Sequence, residues 1–389
     1  MLDTIVLKLN SKQFTISDHS KFTDNTKNLF EPPFKAFCGS KYIKSIQNPT
    51  KAQIAAHGYL PRLTVIKAKA SDGFLITLKI ELSAPKLMFG NNFDELEDKH
   101  FDMFCVLLKQ KLSLMAVEVT LDAIRQANIV AIHYSKNIVL TDYTRCATYL
   151  DKLHKSDISA ALDINQRDYR NKGHALKYHA NSYELTFYDK LKDLAASKRS
   201  EKRAIENDNF TQHDFLEEIN KMPKNVEILR MELRLNTPKK LNEIVKKVTT
   251  NKTPLTIKNL FSQELAQKVL LHYWSIIESN LKLYTISQHK PDDLIFAIEK
   301  QSKKLSIAKT LKLVGLATLI KQHGIRGVRS LFGQHLSSSA WYNLKNDTLD
   351  IKATLDEYQP DKYMQVVKSA LQDFQTVKMT NHLNSKAQQ

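Results

Sequence analysis

A chain of 389 residues with 42% hydrophobic and 25% charged side chains has ordinary globular usage, which excludes a disordered chain and leaves room for two domains. Its 58 Lys+Arg against 41 Asp+Glu give a formal charge of +17, which suits nucleic acid first and an anionic membrane surface second. Cys38, Cys105 and Cys146 are far apart and form no CxxC pair, which argues against a disulfide framework and a thiolate zinc site and fits a reducing compartment.

In chain order, the opening Met1-Leu2-Asp3-Thr4 has an acid where a signal peptide would carry bases, and residues 4–9, TIVLKL, read as a strand. Residues 10–60 are polar and mixed, and the pattern assigns no element there. LTVIKAKA and FLITLKIEL flank Ser71-Asp72-Gly73, a hairpin signal. Asp98 to Leu114 has a helical apolar period. VEVTLDAI and ANIVAIHYSKNIVL read as strands, Tyr143 to Leu153 as a helix, and Ala175 to Tyr188 as a second hairpin. From Lys190 to Lys224 the chain is charged and helical in character. Glu227 to Leu235, EILRMELRL, alternates as a strand, and Pro238 closes the β-rich part. Beyond about residue 240 strand signals nearly vanish and apolar-periodic helices are expected over Ser262–Tyr284, Asp292–Lys300 and Ser306–Gln322. Charge is shared between the halves, about +8 before residue 240 and about +9 after it. No apolar run approaches the roughly 20 residues a membrane span needs, so no membrane partner and a cytoplasmic location are expected.

The most informative segment is Tyr183-Glu184-Leu185-Thr186-Phe187-Tyr188-Asp189-Lys190. A strand runs into a helix there, with Tyr188 at the junction and Lys190 two positions on. A phenol with a pKa near 10 is a poor nucleophile at neutral pH unless a cation favours the phenolate, and Lys190 is placed to do that or to neutralise a phosphate. Attack on a phosphodiester also suits a divalent cation held by carboxylates and imidazole. The candidates are His133, mid-strand on one face with Ala131 and Ser135, and the strand acids Glu81 and Glu232. Arg230 and Arg234, at same-face positions around Glu232, are an equally good structural explanation for it. His174 and His179 read as surface residues.

In the C-terminal part Lys303, Lys304, Lys309, Lys312, Lys321, Arg326 and Arg329 fall within 27 residues without an acid among them. Interleaved leucines and Val314 bury the opposite face, Gly324 breaks the helix, and Ser337-Ser338-Ser339 caps a further helix from Ala340. That pattern is helix-turn-helix-like, with a basic face for DNA phosphates. No Walker loop, GxGxxG or HExxH is present, so any unwinding needs a partner.

Four stretches together resemble the gene II protein family of filamentous-phage rolling-circle replication initiators. They are MLDTIVLKL, IELSAPKLMFGNN (a strand running into a turn), SYELTFYDKLKDL, and the pair SIAKTLKLVGLATLIKQHGIRGVRSLF with SSSAWYNLKNDTL. The last pair is similar to the family's gene-X-like region. In the third stretch Tyr188 matches the nicking tyrosine and Lys190 the lysine that follows it, while Glu232 matches a strand acid. The chain departs from the family at Ala131-Ile132-His133, where the family has Arg-hydrophobic-Asp and related nicking enzymes have paired histidines.

The resemblance implies an α+β fold: an N-terminal antiparallel-sheet, HUH-like nicking domain over residues 1–240, then a mostly helical DNA-binding, gene-X-like domain over 241–389. It implies a metal-dependent tyrosine nickase and strand transferase, with Mg²⁺ or Mn²⁺ held by His133, Glu81 and Glu232. Its partners would be double-stranded replication-origin DNA and the host's helicase and DNA polymerase. The other functions compatible with the sequence are a conjugative or mobilisation relaxase and a non-enzymatic DNA-binding replication regulator.

Overall fold

A computed structural model of the chain describes residues 1–155, 166–170, 173–197, 227–249, 253–280, 290–301, 305–332, 335, 337–352 and 361–378, apart from positions 25, 33, 36, 38, 72, 141 and 142. Cys38, Asp72, Lys303, Lys304 and the charged segment beyond Ser197 therefore lie outside the described residues.

The strands in chain order are β1 (Leu2–Asn10), β2 (Phe14–Ile16), β3 (Tyr42–Gln47), β4 (Arg62–Ala70), β5 (Gly73–Ser83), β6 (Val117–Val119), β7 (Asn128–Leu140), β8 (Gln166–Arg170), β9 (Ala175–His179), β10 (Tyr183–Asp189) and β11 (Glu227–Leu235). Among the described residues nine of them form one sheet in the order β3-β4-β5-β1-β7-β11-β10-β9-β8, while β2 and β6 pair separately. Every neighbouring pair is antiparallel. The architecture is thus mixed α and β around a large antiparallel sheet.

Alternation explains the central strands. Ile5, Leu7 and Leu9 of β1, Leu78, Ile80 and Leu82 of β5, Met231 and Leu233 of β11, and Leu185 and Phe187 of β10 are buried on one face. Charged and polar residues fill the intervening positions. One irregularity matters for the site. Leu2 opposes Tyr134 and Ile5 opposes Ile132, so β1 spends one more residue than β7 over this interval. That bulge keeps Leu2 and Ile5 both in the core and sends Asp3 to the polar face.

The elements follow the sequence expectations in most places and differ in three. Residues 10–60 supply β2, β3 and two short helices, Lys27–Phe30 and Lys51–His57. VEVTLDAI is a strand only to Val119; Thr120 caps a helix over Leu121–Arg125 by accepting from the Ala123 amide at 3.1 Å. The turn expected after β5 is a short helix, Ala84–Phe89, with Pro85 in its first turn and Gly90 in the left-handed region at its end.

After β11, Thr237 caps Pro238–Val248, and the helices Gln263–Asn280, Pro291–Gln301, Ile307–Phe332, Ser338–Lys352 and Lys362–Asp373 follow. Ser337 accepts from the Ala340 amide at 3.1 Å, the cap read in the sequence. The change of texture near residue 240 is not a gap in the core. One continuous cluster of buried side chains runs from Met1 to Phe374, and the Trp274 ring meets Phe187 with centroids 6.4 Å apart. No helix among the described residues is long and apolar enough to cross a membrane.

Gly324 marks a sharp kink within Ile307–Phe332, with φ 72° and ψ 167°. A Cβ there would meet the Lys155 backbone at 3.0 Å, so both sterics and the positive φ demand glycine. Gly324→Ala should lower stability by about 1–3 kcal/mol in a denaturant melt, through strain at the kink and at its contact with the helix Cys146–Lys155.

Candidate active site

The polar face of β7, β11, β10 and β9 is laid out in rows by register. His133, Arg234, Glu184 and His179 form one row. Ser135, Glu232, Thr186 and Lys177 form the next, and Asn137, Arg230, Tyr188 and Ala175 the third. Diagonal neighbours on such a face lie within reach of long side chains. The phenol of Tyr188 accordingly donates to Glu232 Oε2 at 2.9 Å.

The other oxygen of Glu232 takes Arg234 Nε at 2.7 Å, and His133 Nδ1 lies 3.6 Å from it. Burial pushes the Glu232 carboxyl up, but the charge of Arg234, the nearby imidazole of His133 and the charge of Arg230 hold it well below the usual carboxylate range. Tyr188 moves the other way. Burial and the charge of Glu232 hold its phenol well above the ordinary value, against the pull of Arg230. Tyr188 is therefore a neutral donor to a carboxylate, and the activated phenolate expected beside Lys190 is not what the geometry holds.

Arg230, 2% exposed, is the centre of the arrangement. Its Nη2 donates to Ser135 Oγ at 2.8 Å and lies 3.2 Å from Asp3 Oδ2. Its Nη1 donates to the Asn92 carbonyl at 3.0 Å and Asn137 Oδ1 at 3.3 Å. Its Nε and the Thr186 hydroxyl are buried without a hydrogen-bond partner among the described residues.

Lys190, at the start of the helix Lys190–Ser197, is 1% exposed and holds its ammonium 5.7 Å from the Tyr188 ring centroid. No carboxylate among the described residues forms an ion pair with it. Burial, helped by Arg230, brings its pKa down to about 8. Around Tyr188 there is thus one carboxylate positioned to take a proton, and donors with unused capacity: an ammonium and a guanidinium edge. Such a place suits an anion that arrives with the substrate.

Of the expected metal ligands, His133 and Glu232 come together and Glu81 does not. Glu81 faces Val6 on β1, one strand short of β7, and pairs with Lys79 at 3.5 Å in half-exposed surroundings. Both oxygens of Glu232 are engaged by Tyr188 and Arg234, and Arg230 and Arg234 flank it. That donor set does not fit a divalent cation.

A different group, Cys146, Asp189 and Glu227, brings three ligand atoms within 4.8 Å of one another and could hold a metal ion. Asp189 points to the opposite face of β10 from Tyr188, and both acids already have structural work. Glu227 Oε2 accepts the Cys146 amide at 2.5 Å at the start of Cys146–Lys155, and Asp189 Oδ1 accepts the Lys192 amide at 3.0 Å at the start of Lys190–Ser197. His174 and His179 are half-buried beside acids, His174 Nδ1 3.8 Å from Asp189 and His179 Nδ1 3.4 Å from Glu184.

Among the expected DNA-binding residues, Lys312, Lys321, Arg326 and Arg329 are exposed and Lys309 is half-buried. Leu313, Leu316, Ala317, Ile320, Ile325 and Val328 are buried on the other side of the same helix. Sequence reasoning missed Arg230 as the hub and missed Asp3 and Asn137 altogether. The available signal was Arg230 itself, a charge amid the apolar alternation of EILRMELRL.

No protein-family model, curated protein or solved structure matches the chain. The chemistry of the site is what remains to assign a function.

A buried lysine without an acid costs stability. The unfolded chain binds the Lys190 proton more tightly than the folded one, so the cost is full below about pH 8 and fades as pH rises from there towards the ordinary 10.5. Lys190→Met should raise stability at pH 7 by on the order of 1–3 kcal/mol. It should also flatten the rise of stability with pH between about 8 and 10.5. A melt at several pH values checks both; a loss of stability at pH 7 would mean the ammonium is paired.

Proposed function

We propose that this protein is a DNA strand transferase that nicks one strand of a replication-origin duplex through Tyr188 and so begins rolling-circle replication. The observation that carries the reading is the phenol of Tyr188 hydrogen-bonded to the buried Glu232 carboxylate at 2.9 Å, with Arg230 and Lys190 beside it. The resemblance of SYELTFYDKLKDL to the nicking segment of the gene II family supports it from the sequence. The +17 charge and the exposed basic side chains of Ile307–Phe332 supply the attraction to duplex phosphates.

Tyr188 Oη attacks the scissile phosphorus while Glu232 takes the phenolic proton. The bond from phosphorus to the 3′-oxygen breaks, and that oxygen leaves as a 3′-hydroxyl after protonation from solvent. The 5′-phosphate stays on Tyr188. Arg230 and Lys190 offset the charge that builds on the phosphoryl oxygens. The exchange of one ester for another consumes no nucleotide, and the reverse attack by a 3′-hydroxyl rejoins a strand. A host helicase and polymerase would open and extend the nicked duplex, since the chain has no nucleotide-hydrolysing motif.

Supercoiled origin DNA incubated with the full chain should yield open circles and a covalent protein–DNA adduct. Tyr188→Phe should abolish both. Glu232→Gln, which keeps an acceptor but not a base, should slow nicking by about 10²–10⁴-fold with the fold retained by thermal melt. DNA binding with no adduct in the unaltered protein would reassign the chain as a non-enzymatic replication regulator.

A further inference from the structure

Far from Tyr188, at the hairpin end of β4 and β5, lies a second concentration of cations with a different character. Lys67 on β4 is 2% exposed, yet no acid among the described residues pairs with it. Its ammonium lies 4.1 Å from the centroid of Phe34 and 4.7 Å from that of Phe74. Lys69 lies 5.2 Å from the centroid of Phe37, and Phe37 stacks on Phe74 at 5.3 Å with 17° between the planes. These rings do not finish their packing inside the protein: Phe34 is 54% and Phe74 58% exposed. From Lys41 to Lys79 the chain carries seven Lys or Arg and a single acid, Asp72. Lys41, Lys44 and Lys69 likewise form no ion pair among the described residues.

We propose that this patch is a binding surface for single-stranded nucleic acid, separate from the Tyr188 site. The physical reason is the pairing of two features. Exposed ring faces offer stacking partners to bases, which a duplex hides within its own stack and a single strand leaves open. Exposed Lys41 and Lys69 beside the rings offer phosphate contacts, while buried Lys67 holds Phe34 and Phe74 by cation–π attraction. A folded protein gains little by exposing Phe34 and Phe74 around an acid-free lysine, because the rings forfeit burial and the amine forfeits an ion pair. A single strand satisfies both. An anionic membrane satisfies the charge but wants rings projecting freely into it, whereas Phe74 is held flat against Phe37. The inference goes beyond the nicking reading and does not need it to hold.

The test uses the full chain carrying Tyr188→Phe, so that no covalent adduct forms. Binding is measured by anisotropy with a fluorescent oligo-dT of about 20 nucleotides, with a duplex of equal length, and with phosphatidylserine-containing vesicles. Phe34→Ala with Phe74→Ala should weaken oligo-dT binding by about 10–100-fold and leave duplex binding within about threefold. Lys41→Gln with Lys69→Gln should lower the single-strand salt slope by about 1.4, at about 0.7 per phosphate contact. Phe34→Tyr with Phe74→Tyr, which keeps both rings, should leave oligo-dT binding within about threefold of the parent. Oligo-dT affinity unchanged by the alanines, an equal loss for duplex, or a loss confined to vesicles would overturn the proposal. Nicking of supercoiled DNA by the unaltered chain is scored separately, so failure of one reading leaves the other legible.

Discussion

Arg230 is a guanidinium with almost no exposure in the middle of a nine-stranded sheet, and its burial constrains everything around it. Removing an arginine from water is costly unless each donor is met and its charge is offset. Here the offset comes from the far end of the sequence. Asp3 reaches it at 3.2 Å only because β1 bulges between Leu2 and Ile5, and Ser135 and Asn137 reach it because β7 pairs with β11 in a single register. A slip of one residue in β11 would carry Arg230, Glu232 and Arg234 into the core and Met231, Leu233 and Leu235 out of it. The charged face thus fixes the register of the sheet as firmly as the apolar face does.

The same constraint explains why the site is where it is. Tyr188 sits opposite Arg230 on β10, so the phenol must either face a guanidinium or reach diagonally to Glu232, and it does the latter. Lys190 follows at the strand-to-helix junction, buried and lacking an acid. A structure selected for stability alone would put a leucine or methionine there. Buried groups held short of full satisfaction are typical of places that complete themselves on a substrate, and the ones here are cations and hydrogen-bond donors. That bias in sign favours an anion over a metal ion and supports the proposed phosphate substrate.

Local patterns were legible in the sequence and long-range partnerships were not. β11 spans the residues its alternation marks, β4 and β5 pair as the expected hairpin, Gly324 breaks its helix, and Ser337 caps the next one. Each rests on a signal within a few residues. Tyr188 stands out in the sequence by its junction and its resemblance, and it lies beside Glu232, whose other oxygen faces His133. Glu81 shows the limit. It is a strand acid flanked by apolar residues just as Glu232 is, but its strand is separated from β7 by β1, and periodicity cannot say which strands become neighbours. Asp3 was hidden for the same reason, compounded by a bulge that reverses its face.

The helical part beyond residue 240 bears on the placement of Tyr188 as well as carrying a basic face. Trp274 packs on Phe187, the residue before Tyr188, and Tyr273 meets Tyr183 on the same strand with centroids 5.3 Å apart. Lys136 on β7, the strand that also carries His133 and Ser135, pairs with Glu95 at 2.6 Å and donates to the Gln375 carbonyl, just past Lys362–Asp373. Helices drawn from the last third of the sequence therefore press on the apolar side of the strands whose polar side holds the phenol. Alternation makes the two sides inseparable: a residue that shifts Phe187 by packing also shifts Tyr188. The helical region is part of the scaffold that positions Tyr188, and a chain lacking it would lose the backing of β10 as well as a basic surface.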